Sequence, residues 1–377
     1  MIIVVPAKGW SYDFLEDFVK VRGERDTKKA DSIVWENDAF QFSDTTDRYY
    51  TNGTLFERQY LDQQFYVKDT AGSAERVDPA QALPMHFDPL AVGGNEKKSS
   101  PPFVYRQVYG VHLGQNLYTP SDISLTPEQL SSTDRPYGAW LYLGMYRQVI
   151  TASGESWKYG FDVGCIGPCA RGEQVQTGVH DLPFINADAP QGWSSQVKNE
   201  PGFVWFFGHT PRVIADKVFK GCPNFQYELA PNYRLNVGNV FFNGTTGARL
   251  RLGQFNSHFR HPYFNPNSID PSWTALLAEE AKPEPKNEYY FFLNANLRYV
   301  LYNALIEGPL FRADRTPDLN AEPFVFDYEA GFAINLKKVS LIYSQVWRST
   351  EVKEQKWSVD QHKFGRFAIS WICDFFQ

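Results

Sequence analysis

The chain has 377 residues, a net charge of −6 and an aromatic content of 16%, made up of 30 Phe, 21 Tyr and 10 Trp. An acidic balance without a basic patch argues against a nucleic-acid partner. No apolar run approaches the roughly 18 residues that a membrane-spanning helix needs.

A mean hydropathy of −0.42 under so heavy an aromatic load points elsewhere. It fits a barrel whose strands alternate apolar and polar residues between aromatic girdles. The opening stretch MIIVVPAKGW lacks a basic flank and a full apolar core. Residues 1–30 therefore read as an N-terminal segment with no clear signal peptide, and 31–377 as an outer-membrane barrel domain.

Twelve candidate strands follow, at about 31–40, 48–61, 103–118, 137–151, 156–167, 202–218, 225–240, 246–256, 288–304, 324–337, 338–349 and 363–376. Period two is clearest in Phe324, Phe326, Tyr328, Ala330, Phe332, Ile334 and Leu336, with Asp327, Glu329 and Asn335 between them. Phe291, Leu293, Ala295, Leu297, Tyr299 and Leu301 repeat the pattern around Asn294, Asn296 and Arg298. Soluble strands run to about 5 or 6 residues, and tilted membrane strands to roughly 9 to 11. These are of the longer kind. The expected fold is all-β, a 12-stranded antiparallel transmembrane β-barrel, with a soluble β-barrel binding protein as the rival. The last strand ends in alternating aromatics near Phe375, the kind of terminus that outer-membrane assembly machinery reads. Connections 62–102 and 257–287, rich in Pro, Gly and charge, read as irregular.

In an up-and-down barrel every odd-to-even connection lies on one rim, the extracellular one if the N-terminus is periplasmic. That rim collects Asn37-Asp38, Thr51, Gly114 to Pro120, Asp134 to Gly138, and the stretch from Gly167 to His180. Residues 172–182 read as a short helix in an extracellular loop. Gln176 and His180 then stand at i and i+4 on one face, with Glu173 a turn earlier. A histidine there is a candidate general base near neutral pH. On spacing alone an ordinary surface histidine is the favoured reading. Asn37 and Asp38 are oxygen donors of the kind calcium takes, or simply turn residues. The four cysteines are Cys165, Cys169, Cys222 and Cys373. Cys165-x3-Cys169 has no second Cys/His pair at ligand spacing, which argues against zinc. A disulfide is open, and unpaired small apolar residues are the simplest reading.

The strings WENDAF, DRYYTNG, GQNLYTP, DRPYGAW and DVGCIGP-x4-E-x2-Q-x3-H occur in this order within residues 31–182. Together they resemble the lipid A 3-O-deacylases, twelve-stranded barrels of the bacterial outer membrane. The resemblance implies an ester hydrolase acting on lipid A of lipopolysaccharide within outer-membrane lipid. It implies His180 as the base that activates water and a calcium ion that stabilises the oxyanion. Gln176 would line the site or orient the water. Asn37, Asp38 and Thr51 would complete the polar cluster, with Asn37 and Asp38 as metal ligands. The chain departs from the family pattern at Asn186, where a glutamate is expected, and at 121–126, which offers no lysine. A catalytically inactive barrel, porin or structural, is the alternative.

Overall fold

The computed structural model describes residues 28–40, 48–61, 65–68, 74–77, 103–151, 155–181, 188–211, 215–219, 222–255, 287–312, 318–336 and 338–373. Twelve long strands build the wall. They are β1 (Lys28–Asn37), β2 (Tyr49–Leu61), β3 (Phe103–Thr119), β4 (Gly138–Thr151), β5 (Ser156–Ile166) and β6 (Glu200–Thr210). The second half supplies β7 (Cys222–Gly238), β8 (Phe241–Gln254), β9 (Glu288–Asn303), β10 (Phe324–Leu336), β11 (Val339–Arg348) and β12 (His362–Ile372). Each pairs antiparallel with its chain neighbours, and β1 pairs with β12, so the sheet closes as a barrel. Closure leaves no unpaired edge, which is what a strand structure in hydrocarbon requires.

The expected fold is therefore the observed one, with local corrections. The first strand stops at Asn37, and Asp38–Phe40 turns away as a 3-10 segment. Phe40 leaves the wall because it packs over Gly365 of β12, where any Cβ would sit 2.5 Å from Phe40 Cβ. The stretch 202–218 is two pieces, β6 and a short strand Ala215–Phe219 that pairs with β7. Within 62–102, Phe65–Lys68 and Ala74–Val77 form a hairpin that extends β3, where irregular chain was expected. Residues 257–286 and 374–377, including Phe375, lie outside the described residues. Among the described residues, no helix is long and apolar enough to cross a membrane.

Alternation sorts the side chains. On β9 the odd positions Phe291, Leu293, Tyr299 and Leu301 are exposed, Phe291 at 67%, while Asn294, Asn296 and Arg298 are buried inside. An apolar outer belt of this kind is stable in lipid and a liability in water. The interior is packed, not open. Buried charges need partners, and Arg366 supplies them by donating to Glu36 (2.5 Å) and to Glu329 (2.6 Å). Arg251 grips Glu228 with two hydrogen bonds, and His112 meets Asp162 at 2.7 Å.

Six odd-to-even connections emerge at one rim, the rim away from both chain ends of the barrel. Just inside it lies an apolar plug of Tyr50, Tyr118, Trp140, Val197, Phe241 and Phe364. A one-turn helix, Ala304–Glu307, drops Leu305 into that plug at 0% exposure. Asn303 caps it by accepting from the Leu305 N–H at 3.0 Å.

Candidate functional site

The candidate residues lie at the rim, around two connections. The first is the β1–β2 connection. Asn37 Oδ1 accepts from the Ala39 N–H at 2.7 Å, which closes the turn after β1. Asp38 is buried, and its Oδ2 accepts from the Arg48 N–H at 2.9 Å. Phe40 fixes the exit, since its carbonyl accepts from Tyr343 Oη and Gln345 Nε2, each at 2.7 Å. Thr51 sits where the β2–β3 register slips between Tyr50 and Asn52, and its hydroxyl lies 2.6 Å from that of Thr119.

The second loop follows β5. Gly167 has φ 84°, and a Cβ there would lie 2.5 Å from the Val197 carbonyl oxygen, so only glycine fits. Cys165 and Cys169 form a disulfide across this turn, a pairing that the simplest sequence reading did not choose. The Cys169 N–H donates to Asn199 Oδ1 at 2.7 Å, and Gln115 Nε2 donates to the Ala170 carbonyl at 2.6 Å. Helix α1 (Gly172–His180) then begins, close to the expected 172–182. Gly172 lets it lie directly on the wall, because a Cβ would meet Trp193, Ala139 and Leu117.

Gln176 and His180 do share a face of α1, and each is held by its own loop. Gln176 is buried and its Oε1 accepts from Trp193 Nε1–H at 2.8 Å. His180 Nδ1 lies 2.7 Å from the Asp188 carbonyl oxygen. A carbonyl can only accept, so Nδ1 carries the proton and Nε2 is the basic nitrogen of the neutral ring. Glu173 is exposed.

One cross-strand row relates the two loops. Asn37 pairs with Asn52, Asn52 with Leu117, and Leu117 with Ala139. The exposed Trp35 donates from Nε1 to Asn52 Oδ1 at 2.8 Å, marking this row as outward-facing. The base of α1 rests on Leu117 and Ala139. At a strand spacing of ~4.8 Å, two steps put Asn37 about 10 Å from Leu117. The structure thus gathers Asn37, Asp38, Thr51, Gln176 and His180 on one rim, with α1 against the outer wall. The hydrogen bonds given above tie Gln176 and His180 to the α1 loop, and Asn37 and Asp38 to the β1–β2 turn.

The family is decided by a match over nearly the whole chain, residues 3–373, to the model described as outer membrane protein LpxR. This chain belongs to the LpxR family. It is the lipid A 3-O-deacylase family whose motifs the sequence resembles, and it places the chain in the bacterial outer membrane. Among solved structures, the chain is similar to LpxR from Salmonella typhimurium at 18% identity and TM-score 0.64, covering 91% of this chain and 99% of that one. It also matches the β domain of the Bordetella autotransporter BrkA at 10% identity and TM-score 0.33, covering 92% and 98%. No curated protein matches it by sequence.

The resemblance implied two departures, at Asn186 and in the 121–126 stretch. Asn186 lies outside the described residues. In the 121–126 stretch Ile123 is buried in the cluster that holds Trp193 and Tyr137, and its carbonyl accepts from Tyr137 Oη at 3.2 Å. That stretch braces the α1 loop and supplies no cation.

Sequence reasoning missed two parts of this rim. Trp193 is a lone indole in a polar loop, and its single signal is that isolation. Glu351 gathers Arg135 (2.7 Å), Arg298 (3.0 Å), Arg348 (3.6 Å) and His362 (3.3 Å) from four separate segments. Burial alone would raise the Glu351 carboxyl, but Arg348, Arg135 and Arg298 together hold it well below the usual range.

Among the described residues, no three His, Cys, Asp or Glu side chains gather as a metal-binding group. Calcium also takes amide, hydroxyl and main-chain oxygens. The Asp38 carboxylate, the Asn37 amide and the Thr51 hydroxyl fit that chemistry in kind.

Proposed function

We propose that this LpxR-family protein is a lipid A deacylase that hydrolyses the ester holding the 3-hydroxyacyl chain at the 3-position. The observation that carries the reading is the His180 tautomer. With Nδ1–H donating to the Asp188 carbonyl, Nε2 carries the lone pair of the neutral ring and would be the nitrogen that takes a proton from water. An acyl chain can lie in the lipid against the outer wall while its ester reaches α1. Water attacks the ester carbonyl carbon as His180 Nε2 removes its proton, and the C=O electron pair moves to oxygen. Collapse breaks the C–O bond, and the departing sugar oxygen takes the proton back from His180. The products are a free 3-hydroxy acid and the sugar alcohol. Asn37 and Asp38 would be the donors for a calcium ion that offsets charge on the ester oxygen, with the Thr51 hydroxyl completing the polar cluster.

The packed lumen and the Leu305 plug speak against a passive pore, which needs a continuous water path. The test is release of 3-hydroxy fatty acid from lipid A by purified protein in detergent, with and without a chelator. His180→Ala is expected to lose activity by about 10²- to 10⁴-fold. Full activity in that variant sinks the mechanism.

A further inference from the structure

We propose that Trp193 is a positioning residue that turns Gln176 so that its amide N–H groups, not its oxygen, face the reacting ester. The inference rests on the deacylase reading above and deepens it. An indole nitrogen can only donate, so the atom 2.8 Å from Trp193 Nε1 must be the Gln176 oxygen. That contact fixes which way round the amide lies. The other end, Nε2, is buried and has no hydrogen-bond partner among the described residues. A buried donor pair left open is uncommon in folded proteins, and it calls for an acceptor oxygen from a ligand. In ester hydrolysis the carbonyl oxygen is the atom that gains charge, and pre-aimed N–H donors stabilise it there. His180 stands one turn further along α1, so base and donor flank the same ester. The nitrogen end of an amide cannot ligate a cation, so the end left open by Trp193 suits an N–H donor and not a metal ligand.

The indole is held firmly enough to impose this. Trp193 is 1% exposed and its ring centroid lies 4.8 Å from that of Tyr137. One glycine makes space for the indole and another for the Tyr137 ring it packs against. A Cβ on Gly172 would lie 2.5 Å from Trp193 Cη2, and a Cβ on Gly192 would lie 2.4 Å from the Tyr137 ring.

Trp193→Phe keeps an aromatic ring in this space but removes the N–H together with the pyrrole part of the indole. With the full chain in detergent and lipid A as substrate, kcat should fall by about 10- to 100-fold with KM unchanged. Gln176→Ala should lose a similar amount, and the double variant no more than Gln176→Ala alone. Wild-type kcat in Trp193→Phe, or additive losses in the double variant, overturns the proposal. A wild-type protein that releases no acyl chain overturns the deacylase reading instead. The Gln176 side-chain amide signal in nitrogen-labelled protein, identified by its loss in Gln176→Glu, then remains the deciding readout. It should move when lipid A is added to wild type. A signal that stays in place overturns the donor role whatever the activity.

Discussion

Arg135 and Glu351, 216 positions apart in the chain, meet at 2.7 Å with both side chains buried. Arg135 also lies over the Tyr118 ring, 4.2 Å from its centroid. The pair joins the β3–β4 connection to the β11–β12 connection across the barrel mouth. Glu351→Gln keeps the shape and removes the charge that balances Arg135, Arg298 and Arg348. Breaking a buried ion pair from one side costs about 3–5 kcal/mol. The variant should show a clearly lower urea midpoint in detergent micelles than wild type. An unchanged midpoint would show that the cluster contributes nothing to closure of the rim.

The same carboxylate gives the rim a pH dependence of defined sign. Its pKa in the folded protein is held well below the ordinary value by the three arginines, against the opposing effect of burial. A depressed carboxylate contributes stability that is fully present above its unfolded pKa, about 4.3. That contribution fades as pH falls through the lower, folded value. Wild type should therefore lose stability progressively below about pH 4, with Glu351→Gln lacking that part of the loss. Parallel pH profiles for the two proteins would contradict the assignment.

The barrel was legible because period two is a local signal carried by every strand. The face-sharing of Gln176 and His180 was legible for the same reason, since helical spacing is read from four residues. Asp38–Phe40 was not. Its alternation looks like more strand, and what ends β1 is the space over Gly365 on β12. Glu351 was equally invisible, because its partners come from β9, β11, β12 and the β3–β4 connection. Contacts of such sequence separation leave no periodic trace. Cys165 and Cys169 had a spacing that allowed pairing without requiring it.

The disulfide is the covalent part of the turn that feeds α1. A loop this short constrains the unfolded chain modestly, by about 2 kcal/mol. Replacing both cysteines by serine should lower the melting temperature by several degrees. The hydrogen bonds of Gln115 to the Ala170 carbonyl and of the Cys169 N–H to Asn199 use no sulfur atom and should hold the turn without it. Activity should accordingly fall by less than tenfold and not vanish. A variant that folds normally and is wholly inactive would assign the disulfide a direct role at the site.

Two glycines on α1 separate helix propensity from packing. Ala is favoured over Gly inside a helix by up to about 1 kcal/mol. At Gly178 a Cβ meets nothing within 4 Å, so Gly178→Ala should raise the melting temperature and leave kcat unchanged. At Gly172 a Cβ would sit 2.5 Å from Trp193 Cη2 and 2.8 Å from both Ala139 Cβ and Leu117 Cδ2. Overpacking of this kind costs about 1–3 kcal/mol, which exceeds the propensity gain. Trp193 cannot yield without losing its bond to Gln176. Gly172→Ala should therefore lower kcat more steeply than it lowers stability, because the displaced indole releases the amide. Melting curves and lipid A turnover measured on both variants decide it: equal behaviour of the two alanines would refute the seating of α1 against the wall.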